Sequence, residues 1–486
     1  MQSLIIGSYD RQIIQSAQNA ADQSSSQIYL VGGAVRSFML NQAIDDYDFV
    51  CFGNTAATAA YLARQYNSRV IVLNDRSNVL RVPLPKGHAD ICGGQQDLLT
   101  DAQKRDFSLN ALYVQLDTNG QPILSDPLNA QADLQNKILK AVSDDIFDED
   151  PLRLLRAFRL SAEFNLCIDQ CTLHLIEKNI KLLSKAAPER NHEEWSRICR
   201  TNSLRIIEQM AKAGMLTILF PLLKETIDIT QSAEHYWPVF EHSVATICAI
   251  DYILGNTSWP YLPDNEQHIF MDQEIKNELT TQIVSLKTAA ILHDIGKPAC
   301  RTQDIDNNRI RFIGHPIAGE EICRQILSAM RFTKKESAQI CALVRDHMRP
   351  TQLAPQGQMP SAKAVFRFFR DNPYAISALY LSLADHLATC GPHINIDEWK
   401  KHNDLVKFTI LSARAQKKQL QESKPISGYE IINYLHLPPS PLIAFALAEA
   451  HASQAEGVER NEALRRAQAA LNYQLRKMGL YNKKEE

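Results

Sequence analysis

The sequence predicts an α+β head followed by an all-α body, and three observations lead there. At 486 residues the chain is too long for one hydrophobic core, so three or more domains are expected. Up to about Val142, the β-rich runs "IYLVGG", "YDFVCF", "RVIVLN" and "VLRVPL" alternate with a helical stretch, "NTAATAAYLARQY". From Asp150 onward strand signals nearly vanish, and apolar residues recur at helical spacing in "PLRLLRAFRLSAEF", "LRIIEQMAKAGMLTILF", "LKTAAILHDIG" and "EICRQILSAMRF". Loop-like stretches interrupt this body at 255–272, at 353–362 and near Glu422.

Composition narrows the class. With 45% hydrophobic and 22% charged residues the chain reads as a soluble globular protein. A net charge of −3 excludes a globally basic nucleic-acid coat and leaves room for a local basic track. No signal peptide and no run of membrane-spanning length is seen, and ten scattered cysteines suggest reduced thiols, so a cytoplasmic protein without a membrane partner is expected. Cys167 and Cys171 could meet across one helical turn, and packed thiols are expected there rather than zinc. The oligomeric state is not encoded in any readable pattern.

In the head, Asp46 and Asp48 of "DDYDFV" are two apart, so on a strand they share a face. Two like charges there repel unless a cation sits between them. Mg²⁺ suits the arrangement, since it takes one or two carboxylates and completes its shell with water and phosphate oxygens. Just upstream, "GGAVR" offers Gly32 and Gly33 for close backbone approach to a triphosphate and Arg36 to pair with it. A Gly-Gly turn beside an edge strand wetted by aspartates is the plainer reading of these residues alone.

Further motifs follow in order: "KRDFSLNAL" at 104–112, "DP" at 126–127, "ADL" at 132–134 and "FDEDPLRLLRAFRLSAEF" at 147–164. Over residues 28–221 this series resembles the class II tRNA nucleotidyltransferase and bacterial poly(A) polymerase superfamily. The resemblance implies a nucleotidyltransferase head with a polymerase-β-like mixed sheet, followed by an all-α neck, body, HD domain and tail. It also implies that Asp46 and Asp48 hold two Mg²⁺ ions, one at an RNA 3′-hydroxyl and one on the triphosphate. Asp90, in "HADIC", is the candidate third carboxylate. Arg105 and Asp106 match the family's "RRD" motif at the ribose and triphosphate, with Asn110 grouped beside them as nucleotide-binding and Lys104 replacing the first Arg. Two departures concern loop geometry: Ser37 stands where the family usually has Asp, and "DPLNAQADL" lacks the usual glycines.

In the neck, Asp150 is a good N-cap and Pro151 a good first helical residue. Asp150 and Arg153 lie three apart, an acceptor beside a planar donor that can read the Watson–Crick edge of cytosine or adenine. The family's "EDxxR" template, which selects CTP and then ATP, maps onto Glu149, Asp150 and Arg153. Arg156 and Arg159 continue the spacing and are grouped with the nucleotide-binding residues, while Leu152, Leu155 and Phe158 are left for packing. Basic residues from Lys178 to Arg205, diluted by glutamates, read as an RNA-backbone track or a solvated helix face.

A second constellation begins with "AAILHDIGKPA", an apolar helix ending in His293 and Asp294. By itself the pair is equally a cap or a salt bridge. His242, His315, His347 and Asp385 follow the order of the HD phosphohydrolase pattern. Their chemistry suits Mn²⁺, Fe²⁺, Ni²⁺, Co²⁺ or Mg²⁺. His242, His293, Asp294 and Asp385 are expected to hold one ion, His315 and His347 a second, with Lys297 steadying a phosphate. Related enzymes with this domain hydrolyse phosphomonoesters or 2′,3′-cyclic phosphates. The stretch from "ISGYEII" resembles the tail of HD-containing CCA-adding enzymes, expected to clamp the tRNA elbow.

The expected divisions are an N-terminal helix at 1–27, a head at 28–145, a helical neck at 146–230, an HD domain at 231–400 and a tail at 401–486. The expected activity is template-independent addition of C and A to the tRNA 3′ end from CTP and ATP. Addition of CC or A only is the alternative, since the interval from Asp90 to Arg105 is short. Poly(A) synthesis is weaker, because the chain ends in "YNKKEE" rather than a basic extension. A non-catalytic RNA-binding or maturation factor is the rival of another class.

Overall fold

Alternating apolar and polar residues build the head as a sheet. The computed structural model describes residues 6–39, 44, 46–74, 79–263, 266, 268–304 and 309–478, so "YNKKEE" lies outside the described residues. The strands are β1 (Gln27–Val31), β2 (Asp46–Phe52), β3 (Ile71–Asn74), β4 (Val79–Pro83), β5 (His88–Gly93), β6 (Tyr113–Leu116) and β7 (Pro122–Ser125). They form one seven-stranded sheet in the order β3-β4-β5-β2-β1-β6-β7. The β2–β5 pair is parallel and the other neighbours are antiparallel, which makes the sheet mixed, as expected.

Period-2 alternation sorts β2 between two faces. Tyr47, Phe49 and Cys51 enter the core made with α1 (Ser8–Gln23) and α3 (Thr55–Gln65). That core includes Ile13, Ile14, Ala17, Ala20 and Ala21, whose helical spacing gives α1 its buried face. Val50 points the other way, into a smaller cluster with Val31, Ala102, Ala111 and Tyr113. Asp46 and Asp48 share that second face, clear of the main core. Along the chain, α2 (Gly33–Met39) begins at the second glycine of the Gly-Gly pair, and α4 (Leu98–Gln103) follows β5.

The chain divides into two compact units, one of Met1–Ile198 with Lys212–Leu219, the other of Cys199–Ala211 with Phe220–Glu486. The first holds the head and most of the predicted neck. After α5 (Ala130–Gln135) and α6 (Ile146–Glu149) comes α7 (Arg153–Phe164), which ends at left-handed Asn165. Asp150 is not the N-cap expected of it: the cap position is Leu152, without a side-chain cap, and Asp150 Oδ1 instead accepts the Leu152 N–H at 3.2 Å in the turn before the helix. Regular helix begins two residues later than expected, because Pro151 and Leu152 form a turn.

Cys167 and Cys171 correct the sequence reading: both are exposed rather than packed. Cys167 lies on the two-residue strand Cys167–Ile168, and Asp169 caps a new helix, Gln170–Asn179. The two thiols therefore do not share a helical turn. A second departure is the small hairpin Thr302–Asp304 and Arg309–Arg311, inside a body read as all helix.

In the second unit, helices Val239–Ile253, Ile283–Leu292 and Ala375–Cys390 are buried almost all round, consistent with their near-continuous apolar sequences. Lys287 and Asp251 lie among them, both with fully buried side chains, 2.7 Å apart. The Lys287 ammonium also donates to Ser203 Oγ at 2.8 Å and the Thr201 carbonyl at 2.9 Å. The tail adds Ile396–Ser423, a 28-residue helix, and then Gly428–Leu435, Pro441–Ala455 and Arg460–Lys477, which share a small core. Among the described residues no helix is long and apolar enough to cross a membrane.

Candidate functional site

The parallel register of β2 and β5 sets Asp46 beside His88 and Asp48 beside Asp90. His88 Nδ1 lies 2.9 Å from Asp46 Oδ1. Arg81 holds Asp90 through two 2.7 Å hydrogen bonds, so Asp90 stands next to the pair but is already partnered. Desolvation, with Asp90 and then Asp46 adding like charge, pushes Asp48 up to about 6 against the pull of Arg105. That is a cluster short of positive charge.

Gly32 has φ +68° and its missing Cβ would lie 3.5 Å from Asp48 Oδ2; that of Gly33 would lie 3.9 Å away. Any side chain at either position would intrude above the carboxylate, so the glycines keep that approach open. A divalent cation held by Asp46 and Asp48 fits both the charge deficit and the open approach.

Donors for an anion surround this opening. Arg36 is buried, with its guanidinium 4.4 Å over the Phe164 ring, hydrogen-bonded to Asn110, and with Nε unpartnered. Burial, with the charge of Arg159, lowers its pKa to about 10. Asn110 donates to Asp106 at 2.8 Å, and Arg156 donates to the other Asp106 oxygen at 3.1 Å. Desolvation opposes ionisation of Asp106, yet Arg156 and Asn110 more than offset it and lower its pKa. Arg105 is gripped by Asp101 and Tyr113, two residues the sequence reading missed. Only the i, i+4 spacing of Asp101 and Arg105 hinted at them.

The neck residues of the expected template are each held by a further partner. Arg153 bonds Glu149 at 3.0 Å and the Lys104 carbonyl at 3.0 Å, while Asp150 accepts from Arg190 at 2.8 Å. Arg159 is 6% exposed and held by Glu194 and Glu163. It braces the neck from within. Six residues of helix turn it about 120° from the face of Arg153.

In the second unit, four histidines and two carboxylates converge as expected. His293, His315 and His347 each donate Nδ1–H to a backbone carbonyl three residues back, at 2.9, 2.8 and 2.6 Å. That tautomer leaves each Nε2 as a bare lone pair. Yet His293 Nε2 lies 3.1 Å from His242 Nε2, and His315 Nε2 lies 3.3 Å from His347 Nε2. Ring nitrogens facing each other at such distances need a proton or a metal cation between them. Two groups result: His242, His293 and Asp385; and Asp294, His315 and His347. Asp294 reaches both, with Oδ2 3.2 Å from His293 and Oδ1 3.3 Å from His315.

Burial alone would disfavour a charged His293, but Asp294 and Asp385 outweigh it and raise its pKa to about 10. The centre favours positive charge. Lys297 sits 2.6 Å from Asp294, and a cavity of about 700 Å³ opens over Asp294, Lys297, Arg311, His315, His347 and Asp385.

Residues 28–140 match the poly A polymerase head domain, 165–227 the probable RNA and SrmB-binding site of polymerase A, and 239–390 the HD domain. An A-adding tRNA nucleotidyltransferase of Deinococcus radiodurans is 29% identical over 440 residues, 87% of this chain and 91% of that protein. A CC-adding tRNA nucleotidyltransferase of Thermus thermophilus is 26% identical over 441 residues, 88% and 89% of the two chains. In structure the chain is similar to a Thermotoga maritima CCA-adding enzyme complexed with tRNA-CCA, with a TM-score of 0.63 at 17% identity, covering 96% of this chain and 97% of that one. A CCA-adding enzyme with CTP gives a TM-score of 0.65 at 17% identity, covering 96% and 94%.

Proposed function

We propose that this chain, which belongs to the class II tRNA nucleotidyltransferase and poly(A) polymerase family and carries an HD domain, adds C and A to tRNA 3′ ends from CTP and ATP. The observation that carries this reading is the Asp46/Asp48 pair beneath an open Gly32–Gly33 turn, flanked by Arg36 and Arg105. Mg²⁺ held by Asp46 and Asp48 would activate the RNA 3′-hydroxyl and neutralise charge on the departing pyrophosphate. Arg105 and Arg36 bind and orient the triphosphate. Glu149 and Asp150, with Arg153 and Arg190, present the acceptors and planar donors that sort cytosine and adenine from carbonyl-bearing edges. The protein would act where tRNA is made, in the cytoplasm.

Full CCA addition is the leading reading. Addition of CC alone is favoured by one observation: only residues 94–97 separate β5 from α4, a short connection for a lever that must re-aim the template. The deciding assay supplies tRNA lacking CCA, or tRNA ending in CC, with CTP, ATP and Mg²⁺ and resolves products nucleotide by nucleotide; addition of A to the CC-ended tRNA alone marks an A-adding enzyme. Completion to CCA supports the first reading and a stall at CC the second. A chain that adds neither nucleotide is not this enzyme.

For the HD centre, the two convergent His/Asp groups support tight binding of one or two divalent ions. Such ions would turn water into a nucleophile against a phosphate ester, while Lys297 and Arg311 receive the phosphate. Elemental analysis of protein purified without chelator, together with release of phosphate from model esters, tests both halves.

A further inference from the structure

We propose that Asp101, with Tyr113, is a positioning residue for nucleotide addition: it aims Arg105 at the triphosphate and keeps it off the metal-binding carboxylates. The inference rests on the nucleotidyltransferase reading above.

A single oxygen, Asp101 Oδ2, accepts three hydrogen bonds: from Arg105 Nε at 3.0 Å, from Arg105 Nη2 at 2.9 Å and from the Tyr113 hydroxyl at 2.8 Å. Asp101 is only 8% exposed and Tyr113 is fully buried. This is not an ordinary helix-surface pair, because α4 ends at Gln103 and Arg105 lies beyond it. Tyr113 belongs to β6 and pairs in register with Val31, the residue before the Gly-Gly turn. The clamp is therefore fastened to the strands that frame the site.

The Arg105 guanidinium also lies 5.3 Å over the Tyr113 ring, which limits its swing. Burial pushes the Tyr113 hydroxyl well above the ordinary phenol range, so it stays a donor to Asp101. Of the five N–H bonds of an arginine, Asp101 takes two and leaves three directed elsewhere. Arg105 is within electrostatic reach of Asp48, whose proton affinity it lowers. Released from Asp101, it would have Asp48 as a rival partner, where its charge opposes a bound cation. A fixed Arg105 avoids that competition and presents its free edge to phosphate oxygens.

The test uses the full-length protein carrying Asp101→Asn, Asp101→Glu, Tyr113→Phe, Arg105→Gln or the double change Asp101→Asn/Arg105→Gln. CTP binding at equilibrium, KM for CTP, kcat and half-saturating Mg²⁺ are measured, with melting curves beside them. Asp101→Asn is expected to raise KM for CTP and the Mg²⁺ requirement about tenfold, with kcat falling no more than about twofold. Asp101→Glu should recover most of the loss, and the double variant should be no worse than Arg105→Gln, because Asp101 acts through Arg105. Should Asp101→Asn not fold, Tyr113→Phe carries the test, with a shift of about threefold in the same direction. Unchanged KM and Mg²⁺ requirement, a loss confined to kcat, or additive losses in the double variant would overturn the proposal. A wild-type chain that binds CTP but adds nothing sinks the activity reading alone, since the binding measurements still judge the clamp.

Discussion

Asp48 shows how a residue can work against its own fold. Its carboxyl is held at about 6, above the ordinary 3.8, so the folded chain binds this proton more tightly than the unfolded chain does. Stability contributed through Asp48 is thus greatest at low pH and declines as pH rises from about 4 through about 6. Asp48→Asn should raise the melting temperature of metal-free protein at pH 7.5 and abolish nucleotide addition; a lower melting temperature would refute the sign. Wild-type addition should weaken as pH falls through about 6, with excess Mg²⁺ moving the midpoint lower. At Lys287 the balance differs, since ammonium and carboxylate satisfy each other. Lys287→Met alone should cost about 3–5 kcal/mol in urea unfolding of its unit, because Asp251 is left charged and buried. Replacing both residues by apolar ones should recover most of that loss. The carboxylate pair was legible from its i, i+2 spacing, whereas a lysine amid "SLKTAAIL" carried no mark of its buried partner 36 residues earlier.

Among the elements, caps decide where helices begin, and the tail offers the cleanest test. Ser427 Oγ accepts the Glu430 N–H at 3.3 Å, and Glu430 accepts the Ser427 N–H at 2.8 Å, a reciprocal capping box on Gly428–Leu435. Ser427→Ala should cost about 1 kcal/mol, seen as faster amide exchange across that helix while the head is unchanged. Hydrogen bonds from Arg460, then from Ser427, lower the Glu430 pKa to about 2. Its contribution is therefore complete above about 4.5 and is lost as pH falls through about 2. The four strand runs read from β-branched alternation all became strands, and "NTAATAAYLARQY" became α3. What escaped was short or paired at a distance. The hairpin at 302–311 has three residues per strand, too few for alternation to stand out from loop. Residues 98–103 form a helix started by Asp97, whose side chain accepts the Thr100 N–H at 2.8 Å, within a stretch read only as a short interval.

For the molecule as a whole, each of the two proposed chemistries draws on residues of a single compact unit. His293→Ala combined with Asp294→Ala should eliminate divalent-metal retention and phosphate-ester hydrolysis while nucleotide addition stays within about twofold, an independence expected of sites that share no residues. Loss of both activities together would show that the histidine cluster serves the fold rather than a second reaction. Order along the chain made both sites legible, since each motif names residue types whose chemistry is specific. Partners were less legible: nothing in the spacing marked Arg190, 40 residues away, as the residue that holds Asp150.

The Lys287–Asp251 pair has a historical consequence as well. Either single substitution strands a charge in the interior, so neither partner can drift first without a penalty that selection would see. Descendants of this chain should therefore keep both residues or have exchanged both for apolar ones, and chains caught halfway should carry a compensating change at Ser203 or Thr201.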